Sequence, residues 1–343
     1  MNNRIHTIIY YLLTSAISGC VLIMFLISPG INDNLPSMFG DTIYGKAHKP
    51  FVYRTLLPTS VRMLSAPAPD EFRNNLSEFI EKNIPLKKLF IKLKWERELA
   101  VEYFLAAVLM FLSLWGFSIA VRYLFKLFFE VNQLFSDSIS LIALIGLPPL
   151  FMYTSFVYDF PVLFLYTLGL IFLYKQDWKF YLILFFFACI NKETTILLTL
   201  VYYIYFRKLL KADLFNKLFA AQLMIFILVK GSLFLVYRDN PGSFVEFHLF
   251  DHNLSLLTGY DLTLLASVGA IILLIFYKWK EKPEFLKKSL AAFIPLVILS
   301  LFLGYIDELR GYYEIYPTVV ILISYSIARI LDLNITQTNF KTT

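Results

Sequence analysis

The chain has 343 residues, 58% of them hydrophobic and 18% aromatic, and a mean hydropathy of +0.66, which excludes an ordinary water-soluble globular protein. Its net charge of +6 is therefore not a nucleic-acid footprint, because membrane proteins collect excess Lys and Arg in short loops on one side of the bilayer. Both cysteines, Cys20 and Cys189, lie inside apolar runs, which argues against a structural disulfide and leaves the redox compartment open.

The pattern predicts an all-α integral membrane protein with about ten transmembrane helices in one polytopic domain over residues 1–343. The first span is 7–28. Its ISGC stretch, Ile17 to Cys20, fits a lipoprotein cleavage box, but apolar residues continue through Leu26, beyond the usual length of a cleaved signal. An uncleaved spanning helix is expected.

A long loop, 29–98, comes next and carries amphipathic helices of its own. Phe72, Leu76, Phe79 and Ile80 recur at i, i+4, i+7 and i+8, with Asp70 as a candidate N-cap. In the following LKKLFIKLKW, Leu86, Leu89, Phe90 and Leu93 oppose Lys87, Lys88 and Lys94. Both segments are expected to lie in the interface, the second drawn there by anionic lipid or guiding a lipid phosphate.

The remaining spans are expected at 99–121, 134–154, 160–174, 180–190, 194–206, 218–237, 262–279, 290–306 and 312–331. The apolar run 180–206 could also be one helix, but at roughly 40 Å it would exceed the hydrocarbon core of about 30 Å. Charge favours a break. The basic loops at Arg122 and Lys126, at Lys175 and Lys179, at Arg207 to Lys211, and at Lys278 to Lys288 fall on one side only if the chain turns at Asn191, Lys192 and Glu193. Two short helices meeting at that turn would place it below the outer lipid surface. Irregular backbone at such depth is tolerated only inside protein or beside a wet cavity. A Lys192–Glu193 pair that merely joins the two helices is the plainer alternative.

The same threading puts 154–161, 238–261 and 307–317 on the outer face with the first loop. Asp33 and Asp41, early in that loop, could act as a general base towards a hydroxyl, or could simply cap turns. Arg54 and Arg310 offer planar forks suited to phosphate, although Arg310 could instead pair with Glu308 or Glu314. With Lys192 they supply three outer-face cations for a phosphorylated lipid. Asp159, before Pro161, is expected to cap the next helix. His248, Asp251 and His252 form a weak metal face if their segment is helical, so a divalent cofactor stays open. Lys230 lies about 12 Å along a helix from Arg238 and could snorkel or pair in the bundle. Sequons at Asn75 and Asn253 would face outwards.

The order of these features, with PFVYRTLLP, YDFP, NKET and ELRGYYEIYP, resembles the bacterial branch of the glycosyltransferase C superfamily, multi-spanning enzymes that use polyprenyl-phosphate sugars. The likeness covers most of the chain in layout. It implies transfer of a sugar with inversion to an envelope glycan, lipid or protein on the outer face of the cell membrane, with the N-terminus cytoplasmic. By that likeness Asp41, or else Asp33, would be the first-loop catalytic carboxylate, and Arg54, Lys192 and Arg310 would lie near the lipid phosphate or sugar; Glu193 and Asp159 complete the expected substrate-binding set. One departure is that Asp33 and Asp41 stand alone where many members have adjacent acids. A polysaccharide polymerase or ligase would be expected to carry its large outer loop in the second half of the chain. A lipid-linked sugar transporter or flippase would suit the broken helix, but no duplicated halves are visible.

Overall fold

The computed structural model describes residues 3–243, 247–259 and 262–338, and they are helical almost throughout. Residues 244–246 and 260–261 of the expected outer segment 238–261 lie outside the described residues. Among the described residues five helices are long and apolar enough to cross a membrane: Arg4–Ile27, Arg97–Phe128, Gln133–Leu150, Ala212–Val236 and Glu284–Leu303. Shorter apolar helices occupy Asp159–Tyr174, Trp178–Asn191, Glu193–Phe206, Leu265–Phe276 and Tyr316–Ile330. Every segment expected to span is therefore helical over most of its length.

The central helix is α6 (Ala100–Phe128), longer than the expected 99–121 and about 43 Å from end to end. Tyr103, Met110, Leu114, Phe117, Val121 and Phe125 are buried along it. Around it pack α1 (Asn3–Ile27), α7 (Gln133–Ile145) and α8 (Asp159–Tyr174). The segment expected at 134–154 stops early because Pro148 and Pro149 cannot continue a helix. The first loop folds into α2 (Phe39–Ile43), α3 (Leu56–Ser65), α4 (Asp70–Lys82) and α5 (Ile84–Lys92). Pro69 takes the N-cap position that the sequence suggested for Asp70, which sits in the first turn instead. The two amphipathic helices bury Ile80 and Phe90 beneath them and leave Phe72, Phe79, Ile84 and Ile91 exposed.

Two short helices, α9 (Trp178–Asn191) and α10 (Ile196–Phe206), break where the sequence predicted. Lys192 is extended, at φ −156° and ψ 147°, and a single 3-10 turn follows. Thr195 Oγ1 donates to Ala188 O at 2.8 Å, joining the Lys192 N–H that donates to the same carbonyl at the end of α9. Trp178, which opens α9, meets Phe206, which closes α10, with ring centroids 5.3 Å apart. The pair thus doubles back. Then come α11 (Ala212–Val236), α12 (Leu262–Phe276), α13 (Glu284–Ala291), α14 (Ile294–Leu303) and α15 (Tyr316–Ile330). The expected span 290–306 is divided at Ala292–Phe293, with Pro295 in the first turn of α14. Residues such as Ile227, Leu228, Leu273 and Ile298 leave an outer surface suited to lipid rather than water.

The bundle has two distinct ends. At one, Phe285 meets Phe128, Tyr174 and Tyr205 at 5.8, 5.1 and 5.0 Å, and His6 and Arg122 both reach Asp137. A two-residue antiparallel pairing of β1 (Phe129–Glu130) with β2 (Thr336–Gln337) ties the chain there. All the short basic loops border this end. At the other end, Thr55 N donates to Ile190 O at 3.1 Å, joining the first loop to the α9–α10 turn. Asn240 Nδ2 donates to Gly45 O and Ala47 O, both at 2.9 Å. Gly242, at φ +91°, lets the chain pass Lys49: a Cβ there would lie 2.7 Å from its carbonyl oxygen.

Candidate functional site

A cavity of about 760 Å³ opens at the non-basic end. The first loop, the segment before α8, the α9–α10 turn, α11 and the chain around α14 all contribute to its wall. It brings together Arg54, Glu193 and Arg310, which are distant in sequence.

Arg54 follows a 3-10 turn over Phe51–Tyr53, and its backbone is fixed by the Thr55–Ile190 hydrogen bond. Its Nη2 donates to Glu193 Oε1 at 2.5 Å and its Nε to Oε2 at 3.3 Å, a two-point clamp. Nη1 donates to the Tyr158 hydroxyl, and the guanidinium carbon lies 4.6 Å from that ring's centre. Arg310 sits over the Phe156 ring at 4.0 Å and pairs with Glu308 and, at 3.6 Å, with Asp159. These carboxylates keep the Arg310 side chain charged against the burial that opposes it, and its pKa stays above the ordinary arginine value. The expected pairing of Arg310 with Glu308 is present; that with Glu314 is not among its ion pairs.

Glu314 serves Lys192 instead. Lys192 Nζ lies 2.9 Å from Glu314 Oε1 in a pair only 9% and 1% exposed, and the Thr194 hydroxyl donates to the same oxygen. Lys192 and Glu193 therefore do not staple each other, as the plainer sequence reading had it. Extended backbone at Lys192 sends neighbouring side chains to opposite sides, one towards α15 and one towards the first loop. Lys192 does not line the cavity.

Asp159 is buried at the first position of α8, not at its N-cap, which is Tyr158. Its Oδ2 accepts from Phe156 N at 3.1 Å, so it turns the chain before the helix while facing Arg310.

Neither first-loop aspartate lines this cavity. Asp33 pairs with Lys94 Nζ at 2.5 Å. Asp41 is exposed beside a separate pocket of about 280 Å³ with Tyr44, Lys46 and Glu96. Among the described residues, the carboxylates that line the large cavity are Glu193 and Glu308, and the side chain of Glu193 is the more accessible, 39% against 22% exposed.

His248 and His252 take different carboxylates. His248 Nδ1 lies 3.0 Å from Asp251 Oδ2, whereas His252 Nε2 lies 2.9 Å from Asp307 Oδ1. Their segment contains one turn of π-helix, Leu249–Asn253, not the α-helix that a shared metal face requires. Among the described residues no three His, Cys, Asp or Glu side chains converge on a metal position. Asp307 also accepts from the Tyr153 hydroxyl; although burial pushes its pKa up, these hydrogen bonds outweigh it and hold the group below the ordinary carboxylate value.

Sequence reasoning missed Tyr158, Phe156 and Glu308 as parts of the site. Tyr158 opens the YDFP motif and Phe156 lies two residues before it, and their aromatic character was the available signal. Searched against protein-family models, curated proteins and solved structures, the chain has no match.

Proposed function

We propose that the protein is a multi-spanning membrane glycosyltransferase that moves a sugar from a polyprenyl-phosphate donor to a glycan, lipid or protein acceptor of the cell envelope. One observation carries the reading. Arg54 and Arg310 stand on the wall of a single large cavity, held by carboxylates and aromatic rings, with Phe226, Phe234, Leu299 and Leu303 as its apolar side. Such a site suits a ligand with an anionic head and a hydrocarbon tail.

In this reading ten helices cross the bilayer, the basic end faces the cytoplasm with the N-terminus, and the cavity opens outwards. The acceptor oxygen attacks the anomeric carbon as the bond from that carbon to the phosphate oxygen breaks. The electron pair leaves with the lipid phosphate, whose charge Arg54 and Arg310 stabilise. The hydroxyl proton passes to a carboxylate. Glu193 is assigned that role in place of Asp41, because it lines the cavity and is the more accessible acid there.

The test is sugar transfer by purified protein. Glu193→Gln should lower turnover by about 10²–10⁴-fold while donor binding persists, and Asp41→Asn should retain most of it. Collapse in Asp41→Asn with normal turnover in Glu193→Gln would return the base to the first loop. A lipid-linked sugar transporter is the second reading, favoured by the doubled-back α9–α10 pair. It requires movement of the donor across sealed vesicles without any transfer.

A further inference from the structure

The cations lining the cavity differ in what they have left to offer. Arg54 is clamped to Glu193, Arg310 holds Asp159 and Glu308, and Lys49 Nζ donates to Arg238 O at 2.8 Å. Lys230 is different. Its Nζ is buried and has no hydrogen-bond partner among the described residues. A buried ammonium without a partner is costly, and an anion beside it removes much of that cost.

Its place on the helix says what kind of anion. Phe226, Lys230 and Phe234 follow one another at i, i+4 and i+8, and all three line the cavity from one face of α11. Leu299 and Leu303, again at i and i+4, line it from α14 and are exposed on the outer surface. The ammonium is thus set in an apolar and aromatic wall that continues to the lipid-facing side of the bundle.

We propose that Lys230 is the primary anchor for the phosphate of a lipid phosphate, whose hydrocarbon chain lies along the wall formed by Phe226 and Phe234 of α11 and Leu299 and Leu303 of α14. The inference rests on the lipid-phosphate part of the proposed function but not on sugar transfer. Arg54 and Arg310, each already paired, orient the head and share its charge, while Lys230, which Glu193 influences only from beyond contact, supplies an ammonium that no carboxylate hydrogen-bonds among the described residues. Lys230 itself takes no part in bond making.

The experiment is equilibrium binding to full-length protein in nanodiscs of neutral lipid, with farnesyl phosphate, farnesol and inorganic phosphate as three separate probes. Wild type should bind farnesyl phosphate well above the other two. Lys230→Met keeps the length of the side chain without its charge, and should weaken farnesyl phosphate binding about tenfold or more. Lys230→Arg should restore most of it, which a merely structural role for an uncharged stem would not predict. Unchanged farnesyl phosphate binding in Lys230→Met overturns the anchor. Equal binding of inorganic phosphate overturns the hydrocarbon seat. Lys230-dependent binding in a protein that transfers no sugar would leave the anchor standing and remove the glycosyltransferase reading alone. A Lys230→Met protein whose thermal unfolding is unchanged excludes misfolding as the cause, and Leu299→Trp, which narrows the tail path without touching the charge, should weaken farnesyl phosphate but not inorganic phosphate. No weakening in Leu299→Trp would count against the α14 side of the seat.

Discussion

Lys282 lies in a loop whose charges the sequence offers only as a guide to orientation. In the fold its ammonium is buried and donates to Leu274 O at 3.1 Å, Ile275 O at 2.5 Å and Ser326 Oγ at 2.8 Å. It helps close the last carbonyls of α12, sharing Leu274 O with the Ser326 hydroxyl. The Tyr325 ring is 6.0 Å away, and the nearby Glu281 is engaged by Tyr325 and Arg329, so no carboxylate pairs with Lys282 among the described residues. Burial pushes its pKa down to about 8 from the ordinary 10.5. Below about pH 8 the amine is charged in both folded and unfolded chains, and the fold carries the full desolvation cost. Between about 8 and 10.5 the folded protein has lost a proton that the unfolded chain keeps, so stability rises with pH. Thermal unfolding of wild type and Lys282→Met from pH 7 to 10 should show wild type gaining on the variant above pH 8. Parallel curves would contradict this. Asn253 makes a similar point. Its expected sequon amide donates to Leu301 O at 2.7 Å and Gly304 O at 2.8 Å, and is a buried cap for α14 rather than an outward-facing group. Neither role was legible in the sequence, because Ser326 and the α14 carbonyls lie 44 to 51 residues away.

At the level of elements, the α9–α10 break was the most legible feature of the chain. A run too long for the bilayer, flanked on both sides by basic loops, has few other solutions, and the Trp178–Phe206 contact bears the reversal out. What spacing did not reveal was partnership. Adjacent opposite charges suggested a local pair, but an extended residue turns successive side chains apart, and Lys192 pairs with Glu314, just before α15. Lys192→Ala would leave Glu314 buried without a counter-charge, at a cost of about 3–5 kcal/mol. The Lys192→Ala/Glu314→Ala double variant should recover part of that loss, with a coupling of about 0.5–3 kcal/mol measured by thermal or denaturant unfolding. Strict additivity would mean that the two residues do not act as a pair. The proline-limited helices α7 and α14 were less legible. The apolar pattern runs through Pro148 and Pro295, and hydropathy alone does not register a lost hydrogen-bond donor.

For the whole molecule, hydropathy and loop charge gave the class, the apolar segments and the arrangement of two unlike ends. Charge placement works at this scale because it sums over many loops and needs no knowledge of contacts. The cavity was legible only in Arg54, Glu193 and Arg310. Arg54 and Glu193 are 139 residues apart, and nothing in local spacing prefers Glu193 over Asp41 as the acid that faces the same space. In the proposal this space receives a lipid phosphate from the apolar side between α11 and α14, with its head among Lys230, Arg54 and Arg310. A structure of the protein in nanodiscs containing polyprenyl phosphate tests it most directly. The account predicts phosphate density within hydrogen-bond distance of Lys230, with the chain running past Phe226 and Leu299. Phosphate density beside Asp41, Lys46 and Glu96, with the large cavity holding none, would contradict it.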